Sequence, residues 1–441
     1  MNEQPIHQSH ISSLQKLTQK FLRYCRMIGA IEAMSGVVLL IFTAAAVVWA
    51  NSAYSDQYFQ ILHASLAINI GNFELSATPY FIINDILMTI FFLVVGVEVR
   101  HEMHNGALAN IKTACLPIIA ACGGVLVPAL IYMLFTFAYP SVQQGWAIPT
   151  ATDIAFAVGI LALLGKKIPA SARIFLLSLA IIDDILAVLI VALFYSDGLN
   201  FTAFNYVIIG LLLIILFQRM GIFSMLPYCL PAAFIWYGLF NVGVHPALTG
   251  VVLGLLTPVF SRPNKLSALA QAEAALNHLK HEPNNQQEMQ RLKLAQRELR
   301  PPVTRVNDCF APWVAFLIMP LFALVNAGVN IGQIRLDYLG ANQVMLGIAV
   351  ALVLGKPLGI FLITWLSVRL GIGKLAANFN YQWLLLVSCL AGIGFTMSIF
   401  IATLAFNHDQ VLLDAAKLGV LLGSLIAAVI GIFIGLILKR K

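Results

Sequence analysis

Four ionisable side chains inside long apolar segments are the residues of this sequence best placed to do chemistry. Asp153 follows Thr152 in one segment, and Asp183 and Asp184 stand together in the next. Lys356 occupies a later segment. An ionisable group at the centre of a bilayer costs roughly 2.5–3.5 kcal/mol on insertion scales, so its presence there indicates function by default.

The Asp183-Asp184 pair lies near the middle of its segment, where so short a side chain cannot reach water. Neighbouring residues on a helix point about 100° apart, so the two carboxylates cannot share one contact. Burial and mutual repulsion both disfavour the charged form. Such a carboxylate can hold either a proton or a hard cation such as Na⁺, and this competition predicts an exchanger. The alternative, hydrogen bonding between helices, is more typical of Ser or Asn.

Asp153 and Lys356 have two interpretations each. Asp153 stands at an expected break in its helix, where freed carbonyls and the Thr152 hydroxyl complete a cation site; alternatively, it only caps the second half-helix. Lys356 needs a buried anion, for which Asp183 is the expected partner. That pair either takes part in proton transfer or is purely structural.

Four further residues are weaker candidates near the membrane surfaces. Asp85, beside Asn84 towards the outer end of its segment, either lines an access path or forms a satisfied polar pair. His245 near the outer surface, and Glu98 and Glu102 near the inner one, are able to titrate in a pH response. The alternative for these three is a hydrated position at the membrane edge.

Composition indicates an all-α membrane protein with about twelve spanning helices. Of the 441 residues, 60% are hydrophobic and 10% are charged, whereas a soluble domain carries about 25% charged residues. Segments of about 20 apolar residues predict spanning helices. Numbered in order, these spans are 28–50, 79–99, 114–137, 146–164, 171–195, 202–218, 223–239, 243–259, 309–330, 343–367, 383–405 and 411–438.

Basic residues alternate from loop to loop. One set of loops and the two termini hold 23 of the 26 lysines and arginines, while the other loops hold only Arg335 and Lys417, by this assignment of spans. Because cytoplasmic loops are enriched in Lys and Arg, both termini are expected in the cytoplasm. The pI of about 9.1 therefore reflects topology, and no nucleic-acid partner is expected.

Segments between and beyond the spans complete the organisation. Residues 1–27 are expected to lie at the cytoplasmic interface, followed by spans 1–8 (28–259), a cytoplasmic helical insertion (260–308), spans 9–12 (309–438) and the end 439–441. Within the insertion, helices are predicted at 266–281 and 286–299. Residues 61–78 alternate around Gly71-Asn72, which predicts an external β-hairpin. The hairpin pairs either with a second subunit or with its own protomer.

Spans 3–5 and 10–12 correspond weakly to each other. In each triplet the middle span is interrupted, at 147–153 (AIPTATD) and at 392–398 (GIGFTMS). Pro and Gly weaken a helix, so spans 4 and 11 are expected to be broken. Because each triplet has three spans, the second begins on the opposite side of the membrane, and inverted repeats of this kind indicate a transporter with its site near the midplane.

Several long segments carry a resemblance to a known family. They are 83–85 (IND), 91–98 (FFLVVGVE), 145–156 (GWAIPTATDIAF), 180–184 (AIIDD), 243–245 (GVH), 320–323 (PLFA), 326–329 (NAGV), 355–359 (GKPLG) and 392–400 (GIGFTMSIF). Through them the chain resembles the NhaA-type bacterial sodium/proton antiporters over nearly its full length.

The resemblance implies an inner-membrane antiporter that expels Na⁺ or Li⁺ in electrogenic exchange for protons. It implies that Asp184, Asp153 and Thr152 bind the transported Na⁺ and that Asp183 pairs with Lys356. It also implies a homodimer joined partly through the hairpin 61–78, activation at alkaline pH, and a pH or access role for Glu98, Glu102 and His245. It implies no cofactor.

The sequence departs from the family in the insertion, which is longer, and before Pro312, where Asn307, Asp308 and Ala311 replace a Glu-His pair and a His. Two other transport classes were weighed. A cation channel usually has repeated filter loops or rings of charge, and a Na⁺-coupled solute symporter needs a second polar cluster at the midplane. Neither feature occurs in this sequence. An enzyme is not expected, because no nucleophile–base or metal-binding spacing falls within the spans.

Overall fold

Helices joined by short connections make up most of the chain. The computed structural model describes residues 28–70, 73–165, 168–196, 200–222, 224–259, 265–281, 285–338, 340–376 and 378–440. The expected interfacial segment 1–27, the Gly71-Asn72 turn and the last residue Lys441 lie outside these ranges.

Most helices correspond to predicted spans, and several continue through short 3₁₀ or π segments. The α-helices are α1 Ile28–Ala50, α2 Ser55–His63, α3 Met88–Asn105, α4 Ile111–Phe135, α5 Ile154–Leu164, α6 Ala170–Phe194, α7 Phe204–Arg219, α8 Cys229–Val242, α9 Leu248–Leu256, α10 Lys265–His281, α11 Gln286–Leu299, α12 Pro302–Trp313, α13 Met319–Asn326, α14 Ala341–Val350, α15 Lys356–Arg369, α16 Tyr381–Ala391, α17 Phe395–Ala405 and α18 Gln410–Arg440. The π segments Ile82–Leu87, Val314–Ile318 and Ala351–Gly355 lead into α3, α13 and α15.

The chain is a multi-pass membrane protein. By length and composition, six described helices can cross a bilayer, and three bent pairs raise the number to at most nine. Helices α7 and α8 are shorter but apolar. Large side chains such as Leu134 (75%) and Phe137 (80%) are widely exposed, which is expected of a surface that faces lipid. Every predicted span overlaps a helix, while the figure of twelve crossings stays a prediction.

Spans 4 and 11 are broken, as predicted. The 3₁₀ segment Pro140–Thr150 meets α5 at a bend of 43°, and α16 meets α17 at the same angle. Pro149 lacks a backbone N–H, and the chain is extended at Ala151 before α5 begins. In the second break, residues 392–394 include two glycines, which leave the backbone free to depart from the helix.

The predicted β-hairpin is present but shorter than expected. Strands β1 Leu66–Ile70 and β2 Phe73–Ala77 pair antiparallel. The predicted start at residue 61 was wrong, because that stretch ends α2. Tyr58 and Leu62, four residues apart, bury one face of α2, and the Tyr58 hydroxyl donates to Leu324 O at 2.6 Å.

Lys417 was assigned to an external loop, and this was wrong. Helix α18 begins at Gln410, where Asp409 accepts from the N–H groups of Val411 and Leu412. Lys417 therefore lies within α18 and is only 5% exposed. Asp414, counted with the same loop, lies one turn earlier and accepts a hydrogen bond from Gln410 at 2.9 Å.

Two other predicted spans begin at different residues in the structure. Helix α12 begins at Pro302, earlier than the predicted start of span 9 at residue 309, because proline at the first helical position fits a helix start. Span 8 is regular only from Leu248 to Leu256, because the left-handed Gly243 and Pro246 delay its start. The predicted helices of the insertion agree closely with α10 and α11.

Glycines allow α4 and α15 to pack closely against each other. A Cβ on Gly359 of α15 would lie 2.2 Å from Gly123 O of α4, so the two backbones touch. Beside this contact, a Cβ on Gly124 would lie 3.7 Å from Lys356 Cε. The α4–α15 contact thus determines the position of the helix that carries Lys356.

Candidate functional site

The two helix breaks meet each other. The backbone N–H of Asp153 donates to Ile393 O at 2.7 Å, and the Thr152 hydroxyl lies 3.0 Å from Ala391 O. The break in span 11 therefore supplies two carbonyls to donors of the break in span 4. These bonds satisfy groups that lipid could not, and they fix Thr152 and Asp153 at the crossing.

Lys356 and Asp183 form a fully buried ion pair beside the crossing. Lys356 Nζ lies 3.0 Å from Asp183 Oδ2, and both side chains are 0% exposed. Lys356 also donates to Thr150 O, the carbonyl at the end of the 3₁₀ segment. The expected pairing of these two residues is therefore present in the geometry.

Thr152 contacts Asp183. Its hydroxyl lies 2.7 Å from Asp183 Oδ2, the same oxygen that Lys356 contacts. The resemblance had placed Thr152 with Asp184, but within the described residues the Thr152 hydroxyl makes no hydrogen bond to Asp184. Thr152 therefore orients the paired carboxylate directly with its hydroxyl proton, and the lone pairs of its oxygen accept no hydrogen bond within the described residues.

Asp153 caps α5 and also binds the other broken helix. Its Oδ1 accepts from Phe156 N at 3.0 Å, as a helix N-cap does. Its Oδ2 accepts from the Thr396 hydroxyl and from Thr396 N at 3.3 Å. The N-cap interpretation is therefore confirmed, and it is compatible with a role at the site. Thr396 was not among the predicted site residues, although its segment was identified as a break.

Asp184 is the acid without a partner. It is 3% exposed, and its Oδ1 makes no hydrogen bond to any part of the chain that the structure describes. Asp183 Oδ1 also lacks a hydrogen bond there, but Oδ2 of that residue is bound by Lys356 and Thr152. Of the three aspartates, Asp184 alone has no ion pair or hydrogen bond within the described residues to neutralise its charge.

The charges at the crossing do not balance. Asp153, Asp183 and Asp184 are buried with one lysine, so full ionisation would leave two uncompensated negative charges. Asp184 is repelled by Asp183, Glu98 and Asp153 and is attracted by Lys356. An uncompensated buried charge is costly and is neutralised in practice. Binding of a proton or a monovalent cation at Asp184 would neutralise one of these two charges.

The outer candidates form a separate polar group. Asp85 lies in the π segment, and its Oδ1 is 3.7 Å from His245 Nε2. Asn84 and Asn326 exchange two hydrogen bonds, of 3.1 Å and 2.7 Å. The satisfied polar pair that the sequence suggested therefore belongs to Asn84, while Asp85 faces His245. Asn326 was missed, although a buried amide near the end of an apolar span was a usable signal.

The inner candidates lie on α3. Glu98 is half-buried, and its charge acts on Asp184. Glu102 lies one turn later, towards the end of the helix, and is also half-buried. The geometry thus relates Glu98 to the central cluster and places Glu102 farther along α3.

Sequence comparisons match the chain to one family over nearly its whole length. Residues 26–435 match the family described as Na⁺/H⁺ antiporter 1. The chain is 52% identical over 435 residues to Na⁺/H⁺ antiporter NhaA 2 of Pseudomonas putida, covering 97% of this chain and 96% of that protein. It is 53% identical over 420 residues to Na⁺/H⁺ antiporter NhaA of Janthinobacterium sp. (93% and 92%), and 51% identical over 418 residues to that of Cupriavidus necator (93% and 89%).

Proposed function

Because the chain belongs to the Na⁺/H⁺ antiporter 1 family, we propose that it exchanges Na⁺ for protons across the bacterial inner membrane. Asp184 is the carboxylate at which the two ions compete. Loading with either ion neutralises the same buried charge, so binding of one excludes the other.

The observation that carries this proposal is the difference between two adjacent acids. Asp183 is held by Lys356 at 3.0 Å and by Thr152 at 2.7 Å, whereas Asp184 has no partner among the described residues. A buried carboxylate with a free oxygen is a ligand for a hard cation and, equally, a base for a proton. Asp183, which is paired, supports the site, and Asp184 binds the transported ion.

Asp153 and Thr152 complete the proposed cation site. Asp153 is held at the crossing by Thr396 and by the start of α5, so it adds a second negative charge close to the ion. The hydroxyl oxygen of Thr152 keeps a lone pair for a cation. Na⁺ is cargo at these residues, and Li⁺, which has the same charge and a smaller radius, is expected to compete for them.

Exchange is proposed to be electrogenic because Asp183–Lys356 can also change its proton load. A transport cycle that moves more protons than Na⁺ carries net charge, and a membrane potential supplies about 2.3 kcal/mol per charge per 100 mV to drive it. Asp85, His245, Glu98 and Glu102 are proposed to shape ion access and the pH response, which we expect to favour alkaline pH.

Everted vesicles energised so that their interior is acidic provide the test. Addition of Na⁺ or Li⁺ should dissipate the gradient in the wild type, and Asp184→Asn should abolish the response because a neutral amide cannot trade a proton for a cation. Asp414→Asn, which changes a half-buried acid on α18, is the matched control and should respond normally. Normal exchange by Asp184→Asn would refute the assignment.

The same vesicles separate the alternative transport classes. A cation channel would pass Na⁺ without moving protons in the opposite direction. A Na⁺-coupled symporter would need a second solute before Na⁺ moved. Na⁺-driven proton movement without an added solute therefore distinguishes the proposed antiporter from both.

A homodimer is proposed through the external hairpin, with both termini in the cytoplasm. The two-stranded sheet β1–β2 has unpaired edges among the described residues, and Leu66 is 52% exposed. Strand edges of this kind pair readily with a second copy. Replacing residues 66–77 with a short flexible linker should shift native mass spectra from dimer to monomer. Unchanged dimers would exclude this interface, and cysteine labelling at each terminus tests the orientation.

A further inference from the structure

Two buried hydroxyl groups on α15 differ from most others in the spanning helices. Thr364 is 0% exposed and Ser367 is 3% exposed, and neither hydroxyl has a hydrogen-bond partner in the described part of the chain. By contrast, several hydroxyls in or at the end of other helices donate to the carbonyl four residues earlier, although Ser171, Thr249 and Ser398 also lack a partner within the described residues. Examples of such donors are Thr43, Thr89, Thr136, Thr257 and Ser388.

This contrast matters because the carbonyl four residues earlier is always available to a helical hydroxyl. Thr364 and Ser367 hold their hydroxyls away from it. They also make no hydrogen bond to a neighbouring helix within the described residues, so interhelical adhesion does not explain them. A buried polar group without a protein partner is normally satisfied by water.

The two hydroxyls lie on the same buried face of α15 as Lys356. Thr364 and Ser367 follow Lys356 by eight and eleven residues, which corresponds to about 12 Å and roughly 17 Å along the axis and to angular offsets of about 80° and 20°. They extend from the buried ion pair towards the end of α15 at Arg369, the end that the positive-inside rule assigns to the cytoplasm.

The ion pair itself has no direct access to solvent. Lys356 and Asp183 are both 0% exposed, and the α4 side of Lys356 is closed by the contact of Gly123 with Gly359. Any proton that reaches or leaves this pair needs polar groups along its route. Thr364 and Ser367 are buried polar groups on that face, and their hydroxyls have no partner among the residues that the structure describes.

We propose that Thr364 and Ser367 form a water-assisted proton path between the cytoplasm and the Asp183–Lys356 pair, separate from the route that Na⁺ takes to Asp184. This inference rests on the proposed antiport function and adds the residues that serve its proton branch. Each hydroxyl accepts a proton from water on one side as it gives its own proton to water on the other. The hydroxyl is therefore unchanged after each transfer and needs only to reorient.

The test compares two modes of exchange in proteoliposomes. Na⁺/H⁺ exchange requires the site to gain and lose protons, whereas ²²Na⁺/Na⁺ exchange at alkaline pH without a proton gradient does not. The double variant Thr364→Val/Ser367→Ala should slow Na⁺/H⁺ exchange by about tenfold or more, since positioned proton-transfer groups have effects of at least that size. Its ²²Na⁺/Na⁺ exchange should stay within about twofold of the wild-type rate.

Two further variants control the comparison. Thr136→Val removes an equally buried hydroxyl that donates to Tyr132 O, and it should leave both modes unchanged. Thr364→Ser keeps a hydroxyl and, combined with wild-type Ser367, should retain Na⁺/H⁺ exchange. The solvent isotope effect of Na⁺/H⁺ exchange should change in the double variant and not in Thr136→Val.

Three results would overturn the proposal. They are normal Na⁺/H⁺ exchange in the double variant, equal slowing of both modes, which would indicate a structural defect, and failure of Thr364→Ser to retain exchange. A wild-type protein that exchanged ²²Na⁺ but moved no protons would instead refute the antiport function on which the path depends.

Discussion

Lys356 Nζ lies 3.0 Å from Asp183 Oδ2, with both side chains excluded from solvent. Breaking a buried pair by removing one partner is far more costly than removing both, because the remaining charge is left uncompensated. Asp183 therefore depends on Lys356, while Asp184, the next residue, has no such partner among the described residues. This difference between Asp183 and Asp184, together with the contacts around them, has five testable consequences.

The first prediction concerns the buried pair. Lys356→Ala should destabilise the protein by about 3–5 kcal/mol, because it leaves the Asp183 carboxylate buried without its positively charged partner. Adding Asp183→Ala to this variant should recover much of the loss, although the double variant still lacks two packed side chains. Thermal unfolding in detergent at pH 8 measures the stability of the single and the double variant. Lys356→Arg is the matched control and should preserve most of the stability. A double variant less stable than Lys356→Ala would contradict the pairing.

The second prediction is linkage between Na⁺ and protons. If Na⁺ displaces one proton from Asp184, its apparent dissociation constant rises about tenfold for each unit by which pH falls in the competing range, and about a hundredfold if it displaces two. Affinity is therefore greatest at alkaline pH. Isothermal titration in buffers of different ionisation enthalpy counts the protons released. Na⁺ binding that released none and did not vary with pH would exclude competition.

The third prediction distinguishes the effect of the Thr152 hydroxyl from the effect of the side chain's volume. Thr152→Val keeps the volume but removes a donor to Asp183 Oδ2 at 2.7 Å, and hydrogen bonds to charged groups contribute about 1.5–3 kcal/mol. We expect the free energy of Na⁺ binding, the free energy of unfolding, or both to fall by an amount in this range. Thr152→Ser should behave nearly as the wild type. Equal behaviour of the Val and Ser variants in ²²Na⁺ binding and thermal unfolding would assign Thr152 to packing alone.

The fourth prediction tests the contact that positions Lys356. Gly359→Ala would place its Cβ 2.2 Å from Gly123 O, and overpacking of this kind costs about 1–3 kcal/mol. Exchange should fall as well, because the added methyl group would displace α15, the helix that carries Lys356. Gly36→Ala is the control, because its Cβ would meet Gly159 Cα at an ordinary 3.5 Å. Melting temperatures of the two variants should differ clearly. Similar values would show that α4 and α15 separate easily.

The fifth prediction concerns Asn84 and Asn326, whose amides exchange two hydrogen bonds. Asn84→Ala leaves a buried acceptor of Asn326 without its donor, at a cost of about 1–3 kcal/mol. The double variant Asn84→Ala/Asn326→Ala should cost less than the two single changes added together, by about 1 kcal/mol. A double-mutant cycle in chemical denaturant measures this coupling, and strict additivity would argue against a paired amide.

The main helices and the broken spans were predictable because their signals are local. Apolar runs of membrane length gave α3, α4, α6 and α18 within a few residues at most ends, and Pro149 with the glycines of 392–394 gave the two breaks. Helix α2 and the early start of α12 were missed. Helix α2 is stabilised by a distant contact of Tyr58 with α13, and Pro302 was interpreted as the end of a helix although proline also begins one.

The sequence by itself determined which solvent surrounds the protein and which ionisable residues its spans retain, because hydropathy and the cost of burying charge belong to each segment alone. It did not determine which oxygen meets which donor. Adjacent residues such as Asp183 and Asp184 diverge by about 100° on any helix, but the faces they meet depend on how α6 packs against the crossing and α15. Tertiary packing therefore decided that Thr152 and Lys356 hold Asp183, that Thr396 holds Asp153, and that Asp184 has no partner in the described part of the chain.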